Sequence, residues 1–179
     1  MYREKNKATC RRFIQQIFNE GDLSSIGNFV TPDSFQHELA ELSVPSGRSP
    51  ERLAEMIHLY RSAFPDLRVE IQDQIAERDR VVTCLRIQGT QKGPLLGIGA
   101  SGKTVDITGI RVDRLDEDKI AESWFHWDGL GMLRQIGALP DLARNPQSAP
   151  WAKKAPSLPP LMTFPTAPPK TEIPHSYAA

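Results

Sequence analysis

Residues 119–137 read KIAESWFHWDGLGMLRQIG. A strand-like run rich in Trp and Phe ends in His126-Trp127-Asp128, and a helix-like segment with Gly129 and Gly131 in its first turn follows at once. The stretch fixes the local order as strand, then acid, then helix, and everything upstream can be read against it. A tight turn at Glu117-Asp118 joins this strand to another over residues 104–116, and their alternation marks an antiparallel hairpin. Upstream of the Gly-rich loop KGPLLGIGASGK, Val81 to Gln91 forms a further strand. Leu67, Val69, Ile71 and Ile75 alternate with Arg68, Glu70, Gln72 and Gln74, which makes a half-buried strand that turns at Glu77–Arg80.

The period is different before residue 67. Phe13, Ile14, Ile17 and Phe18 recur at helical spacing until Gly21. Asp22 opens a short second helix carrying Leu23, Ile26, Phe29 and Val30. Ser49-Pro50-Glu51 starts a third, with Leu53, Met56, Ile57, Tyr60 and Phe64 along one stripe and Pro65 at its end. Helices first and an antiparallel sheet second make the fold class α+β. The domain is read as residues 1–143. Ten of the 15 prolines lie from Pro140 to Pro174, so residues 144–179 read as a Pro-rich tail. That tail is either disordered or docked through Trp151, Leu158, Leu161, Met162 and Phe164.

Lys plus Arg and Asp plus Glu both number 22, so the net charge is zero and no basic face for nucleic acid is demanded. Cys10 and Cys84 form no spaced motif for a metal or a disulfide framework. The polar opening MYREKNKATC has no apolar signal core, and no apolar run reaches the ~18 residues of a membrane span. The expectation is a cytoplasmic protein without metal or membrane. The GIGASG loop has neither the spacing nor the βαβ context of a nucleotide motif.

Projecting the turns along the strands pairs Arg111 with Trp124, Ile107 with Asp128, and Ile71 with Arg86. One sheet face, beneath the helices, is then expected to carry Cys84, Arg86, Gln88, Arg111, Trp124, His126 and Asp128. Asp106 and Asp113 are assigned to the other face. The register decides this, since a slip of one residue exchanges the faces. A carboxylate beside Trp124 and Trp127 suits general acid/base work on a carbon acid, with His126 sharing the proton or orienting the substrate. The alternative is that Asp128 simply caps the helix that follows it. His37 is either a structural histidine or a pocket group. Arg86 and Arg111 either pair with acids or hold substrate. His58 reads as solvated.

FPDLRVEIQDQIAERDRVV, GTQKGPLLGIGASGKTVDITGIRVDRLDEDKI and ESWFHWDGLGMLRQIG together resemble SnoaL-like polyketide cyclases of the nuclear-transport-factor-2-like superfamily, over roughly residues 8 to 139. The resemblance implies a cone: a curved antiparallel sheet wrapped by N-terminal helices around a deep pocket, commonly in a homodimer. Phe125 and Trp127, on the face away from the pocket, would then serve a subunit contact. It further implies cofactor-free aldol closure of a polyketide ester. Asp128 matches the acid/base aspartate and His37 a pocket histidine. Gln91 and Arg111 stand where relatives often carry histidine. A guanidinium at 111 favours an anionic ligand or a buried pair with Asp128.

Two classes of function follow. The first is a cyclase or isomerase acting on a hydrophobic small molecule, with catalytic Asp128 and His126. In it His37, Arg86, Arg111 and Trp124 bind substrate, and the two arginines hold an anionic or enolic oxygen. Epoxide hydrolysis is a variant that wants a second carboxylate near Asp128. The second class is a non-catalytic ligand-binding or dimerisation module whose tail, SLPPLMTFPTAPPK, recruits a partner.

Overall fold

The computed structural model describes residues 2–37 and 47–139. Helix α1 (Tyr2–Phe13) runs into a π-helical stretch, Ile14–Asn19. Gly21, with φ +74°, ends it in the left-handed region that glycine enters without strain. A 3-10 turn (Leu23–Ser25) leads to α2 (Ile26–Phe29), β1 (Val30–His37) and the two-residue β2 (Gly47–Arg48). Helix α3 (Pro50–Ala63) starts as expected, with Pro50 in its first turn and the Ser49 hydroxyl accepting from the Arg52 N–H. Strands β3 (Arg68–Glu77), β4 (Arg80–Thr90), β5 (Thr104–Asp116) and β6 (Lys119–Trp127) follow, and α4 (Gly129–Gln135) closes the series. The Pro-rich segment expected from residue 144 lies outside the described residues.

The strands form one sheet in the order β2-β1-β6-β5-β4-β3. β1 runs parallel to β6 and the other pairings are antiparallel. The hairpin turn at Glu117 and Asp118 has positive φ at both residues, the twist-compatible form for two-residue loops. The helices cover one face. There Phe13, Ile14, Ile17, Phe18, Leu53, Ile57 and Met132 meet Val81, Leu85, Val105, Ile107 and Ile120 in a continuous apolar core.

Two β-bulges correct the expected registers. In β3 the pairing runs Asp73↔Cys84 and then Ile71↔Leu85, which leaves Gln72 as an extra residue. In β6 it runs Leu115↔Ile120 and then Arg114↔Glu122, which leaves Ala121 extra. Arg111 therefore pairs with Phe125 rather than Trp124, and Ile71 with Leu85 rather than Arg86. Because side chains alternate with period two, the bulge at Ala121 exchanges the faces of β6 from Glu122 onward. Phe125 and Trp127 turn toward the helices, while Trp124 and His126 turn away.

The chain ends of the sheet are sealed by side chains acting as peptide groups. Asn19 accepts from the Val69 N–H at 2.7 Å and donates to the Val69 carbonyl at 3.0 Å. Gln135 does the same for Asp106, accepting from its N–H at 2.7 Å and donating to its carbonyl at 3.0 Å. This bond pair fastens α4 over the part of β5 that extends beyond β6. Gly93 is required by close approach, since a Cβ there would sit 2.3 Å from the Ser62 carbonyl oxygen.

Candidate active site

Between the helices and the sheet lies a narrow, partly open cavity of about 40 Å³. Phe18, Tyr60 and Phe64 come from the helical side, Ile87, Val105, Ile107, Phe125 and Trp127 from the sheet, and Met132 from α4. Its lining is wholly apolar, a surface that binds a ligand by removing hydrocarbon from water. Gly109 shapes the floor. A Cβ there would meet the side chains of Ile87 and Phe125 at 3.2 and 3.3 Å, so the missing side chain lets these two residues close together.

Asp128 stands between two lining residues, directly after Trp127 and one helical turn before Met132, whose N–H donates to the Asp128 carbonyl at 3.0 Å. The carboxylate is exposed and accepts from the Gly131 N–H at 2.7 Å, so Asp128 does cap α4. Gly131 permits this, because a Cβ there would lie 2.0 Å from the nearer carboxylate oxygen. The capping bond uses one carboxylate oxygen, and the other remains free for a proton.

Behind the cavity is a cluster of buried polar side chains. Arg111 and Asp113, at 1 % and 0 % side-chain exposure, share the covered face and form a buried ion pair, with Arg111 Nε 2.8 Å from Asp113 Oδ1. Arg111 Nη2 donates to Ser123 Oγ at 2.6 Å, and Ser123 donates to Asp113 at 2.5 Å. The rings of Phe13 and Phe18 lie 4.9 and 5.9 Å from the guanidinium carbon, in cation–π range. The Cys10 thiol is pushed well above its ordinary value by burial and by the Asp113 charge, so it stays a neutral thiol. The expected pairing of Arg111 with Asp128 is replaced by this one, and the placement of Asp113 on the opposite face is corrected with it. The partner was two residues along the same strand, on the same side of the pleat.

The remaining expected residues lie on the outer face. His37 stacks on Trp124 with ring centroids 4.6 Å apart, and its Nε2 is 2.7 Å from Glu122 Oε1. Arg114 also donates to Glu122, at 2.9 Å. His37 and Arg114 together hold the Glu122 carboxyl below the usual range. Arg86 is paired with Asp106 at 2.8 Å, also outside, and lowers the Asp106 carboxyl. His126 is exposed. Thus Arg86, Trp124, His126 and His37 do not share the covered face with Arg111: the bulge at Ala121 turns Trp124 and His126 outward, His37 is seated beside Trp124, and Arg86 lies opposite Thr108 on the face of Asp106. Phe125 and Trp127 were expected on the subunit face; they line the cavity instead. Gln91 is buried, accepting from the Ser101 N–H and donating to the Gly99 carbonyl at 3.3 Å each, and so braces the 92–103 loop.

A family model described as SnoaL-like polyketide cyclase matches residues 8–136. The chain belongs to this family. Among solved structures, TsrD from Streptomyces laurentii is 28% identical with a TM-score of 0.67, over 76% of this chain and 98% of that one. IdmH from Streptomyces antibioticus, a candidate polyketide cyclase, is 26% identical at TM-score 0.65, over 74% and 98%. A SnoaL-like protein from Jannaschia sp. CCS1, 24% identical at TM-score 0.70 over 77% and 95%, shares the fold. No curated protein matches. The curved sheet and its covering helices are thus the SnoaL cone of the nuclear-transport-factor-2-like superfamily. Among the described residues no helix is long and apolar enough to cross a membrane, and no group of three or more His, Cys, Asp or Glu is placed to hold a metal.

Proposed function

We propose that this SnoaL-like protein closes a ring on a hydrophobic, polyketide-like ester without a cofactor, with Asp128 as general base and then general acid. The observation that carries this reading is the apolar cavity lined by Trp127 and Met132, the residue before Asp128 and the residue one helical turn after it. The Asp128 carboxylate removes a proton from an activated carbon of the bound chain. The resulting enolate attacks a carbonyl of the same molecule, forming the C–C bond, and the alkoxide takes the proton back from Asp128. Atoms balance, and the product is an isomer of the substrate. The bond from the Gly131 N–H fixes the carboxylate's direction. Of the two enzyme variants, cyclisation is favoured over epoxide hydrolysis, because the buried carboxylate that could serve as a second one, Asp113, is already engaged by Arg111 and Ser123.

The test is turnover of a panel of β-keto polyketide esters and terpenoid epoxides, followed by mass spectrometry, with wild type and Asp128→Asn side by side. The proposal expects an isomeric product from wild type alone. A hydrated product would favour the epoxide variant, and silence from folded wild type would favour a binding module.

A further inference from the structure

Four buried polar atoms have no hydrogen-bond partner among the described residues: Thr31 Oγ1, Ser34 Oγ, Gln36 Nε2 and Arg111 Nη1. Three of them belong to buried residues on β1 and β5, the strands that flank β6. Gln36 lies beside Ser123 in the β1–β6 register, and Ser123 lies beside Asp113 in the β6–β5 register. The Arg111 guanidinium reaches back to Ser123 Oγ at 2.6 Å. Arg111 and Gln36 thus come to Ser123 from the strands on its two sides, β5 and β1. Ser34 is two residues before Gln36 on the same covered side, and all three residues are buried. Two unmatched donors in one dry place are expensive, so a single acceptor atom shared between them is strongly favoured.

The charge of the cluster says which acceptor. Asp113 already neutralises Arg111. A carboxylate or phosphate would bring an unbalanced charge into a buried site, whereas a neutral oxygen would not. The location says which molecule. The Phe18 and Phe125 rings, 6.2 Å apart edge to face, line the cavity on one side. On the other side Phe18 packs against Arg111, and Phe125 is the strand partner of Arg111. Three residues of β5, about 10 Å, separate Arg111 from Thr108, whose carbonyl accepts from the Asp128 N–H.

We propose that Arg111, Gln36 and Ser34 form a polar subsite behind the Phe18–Phe125 pair that takes the ketone or enol oxygen of an otherwise apolar ligand. This rests on the cavity being the substrate pocket and deepens it. The substrate is apolar along its body, carries a neutral carbonyl or enol oxygen at its inner end, and presents its reacting carbon to Asp128.

The experiment measures binding by equilibrium dialysis of two ligands of the same shape, 2-acetylnaphthalene and 2-isopropylnaphthalene. A purely apolar pocket prefers the hydrocarbon, because burying an unpaired carbonyl is costly. The subsite predicts that the wild-type protein binds the ketone at least tenfold more tightly. It also predicts that Gln36→Met loses most of that preference while its affinity for the hydrocarbon stays unchanged. A hydrocarbon preference in wild type, no binding of either ligand, or the same ratio in both proteins overturns the proposal and leaves water as the occupant. The wild-type comparison stands even if the variant does not fold. Since binding rather than turnover is read, an inactive or unaffected Asp128→Asn enzyme leaves this result independent.

Discussion

Removing one partner of the buried pair, by Asp113→Leu, leaves the Arg111 guanidinium charged and dry at 1 % exposure. It also takes away the acceptor for both Arg111 Nε and the Ser123 hydroxyl. A charge stranded in this way costs about 3–5 kcal/mol. At about 3–4 °C per kcal/mol for a domain of this size, the melting temperature falls by about 10–20 °C. Replacing the whole cluster behaves differently. Arg111→Met, Asp113→Leu and Ser123→Ala together leave no unmatched polar atom among these three residues and keep contact with Phe13 and Phe18. What is lost is the cation–π attraction, worth about 0.5–2 kcal/mol. The triple variant is therefore expected within about 2 kcal/mol of wild type. Urea and thermal melts of wild type, single and triple variants decide the matter. A single variant that loses less than about 1 kcal/mol would show that water reaches the guanidinium. A triple variant as weak as the single one would show that the cluster is not a costly burial offset by pairing. Either result refutes the reasoning.

Gly131→Ala places a Cβ 2.0 Å from the Asp128 carboxylate and must displace it. Loss of the cap, about 1 kcal/mol, is nearly offset by the better helix propensity of alanine, also about 1 kcal/mol. Melting should hardly move, then, while cyclisation falls, as parallel calorimetry and turnover assays will show. Glu122 supplies a pH test. Its carboxyl is held below the ordinary 4.5, first by the bond to His37 and then by Arg114. A depressed carboxyl contributes stability that is complete above its unfolded value and is lost as pH falls through the folded one. The stability gap between wild type and Glu122→Gln should accordingly be constant near neutrality and close in acid. Urea melts across an acid series check this, and a gap that widens in acid would reverse the sign.

The architecture was legible because each element carries a local signal: the Ser49-Pro50 helix start, the two-residue turn at Glu117-Asp118, and the period-two runs between them. The face assignments were not. Gln72 and Ala121 are ordinary residues in ordinary strand sequence, and nothing local marks either as a bulge. Yet each shifts pairing by one, and the second exchanges Trp124 and His126 with Phe125 and Trp127. The cap at Asp128 was legible, because an Asp before Gly-Leu-Gly at the end of a strand suits the start of a helix. The Arg111–Asp113 pair had a readable signal, the i, i+2 spacing within one strand. Gln36 and Ser34 gave no signal, since their importance lies in what they fail to bond.

Asp128→Asn offers the most direct measurement, because asparagine caps a helix about as well as aspartate and keeps an acceptor for the Gly131 N–H. Ligand affinity and cyclisation rate are to be measured on the same folded preparation. A proton-transferring Asp128 predicts unchanged affinity and melting with a rate lower by about 10²–10⁴. An unchanged rate, or a loss of rate matched by an equal loss of affinity and stability, would contradict the account and reduce Asp128 to the cap of α4.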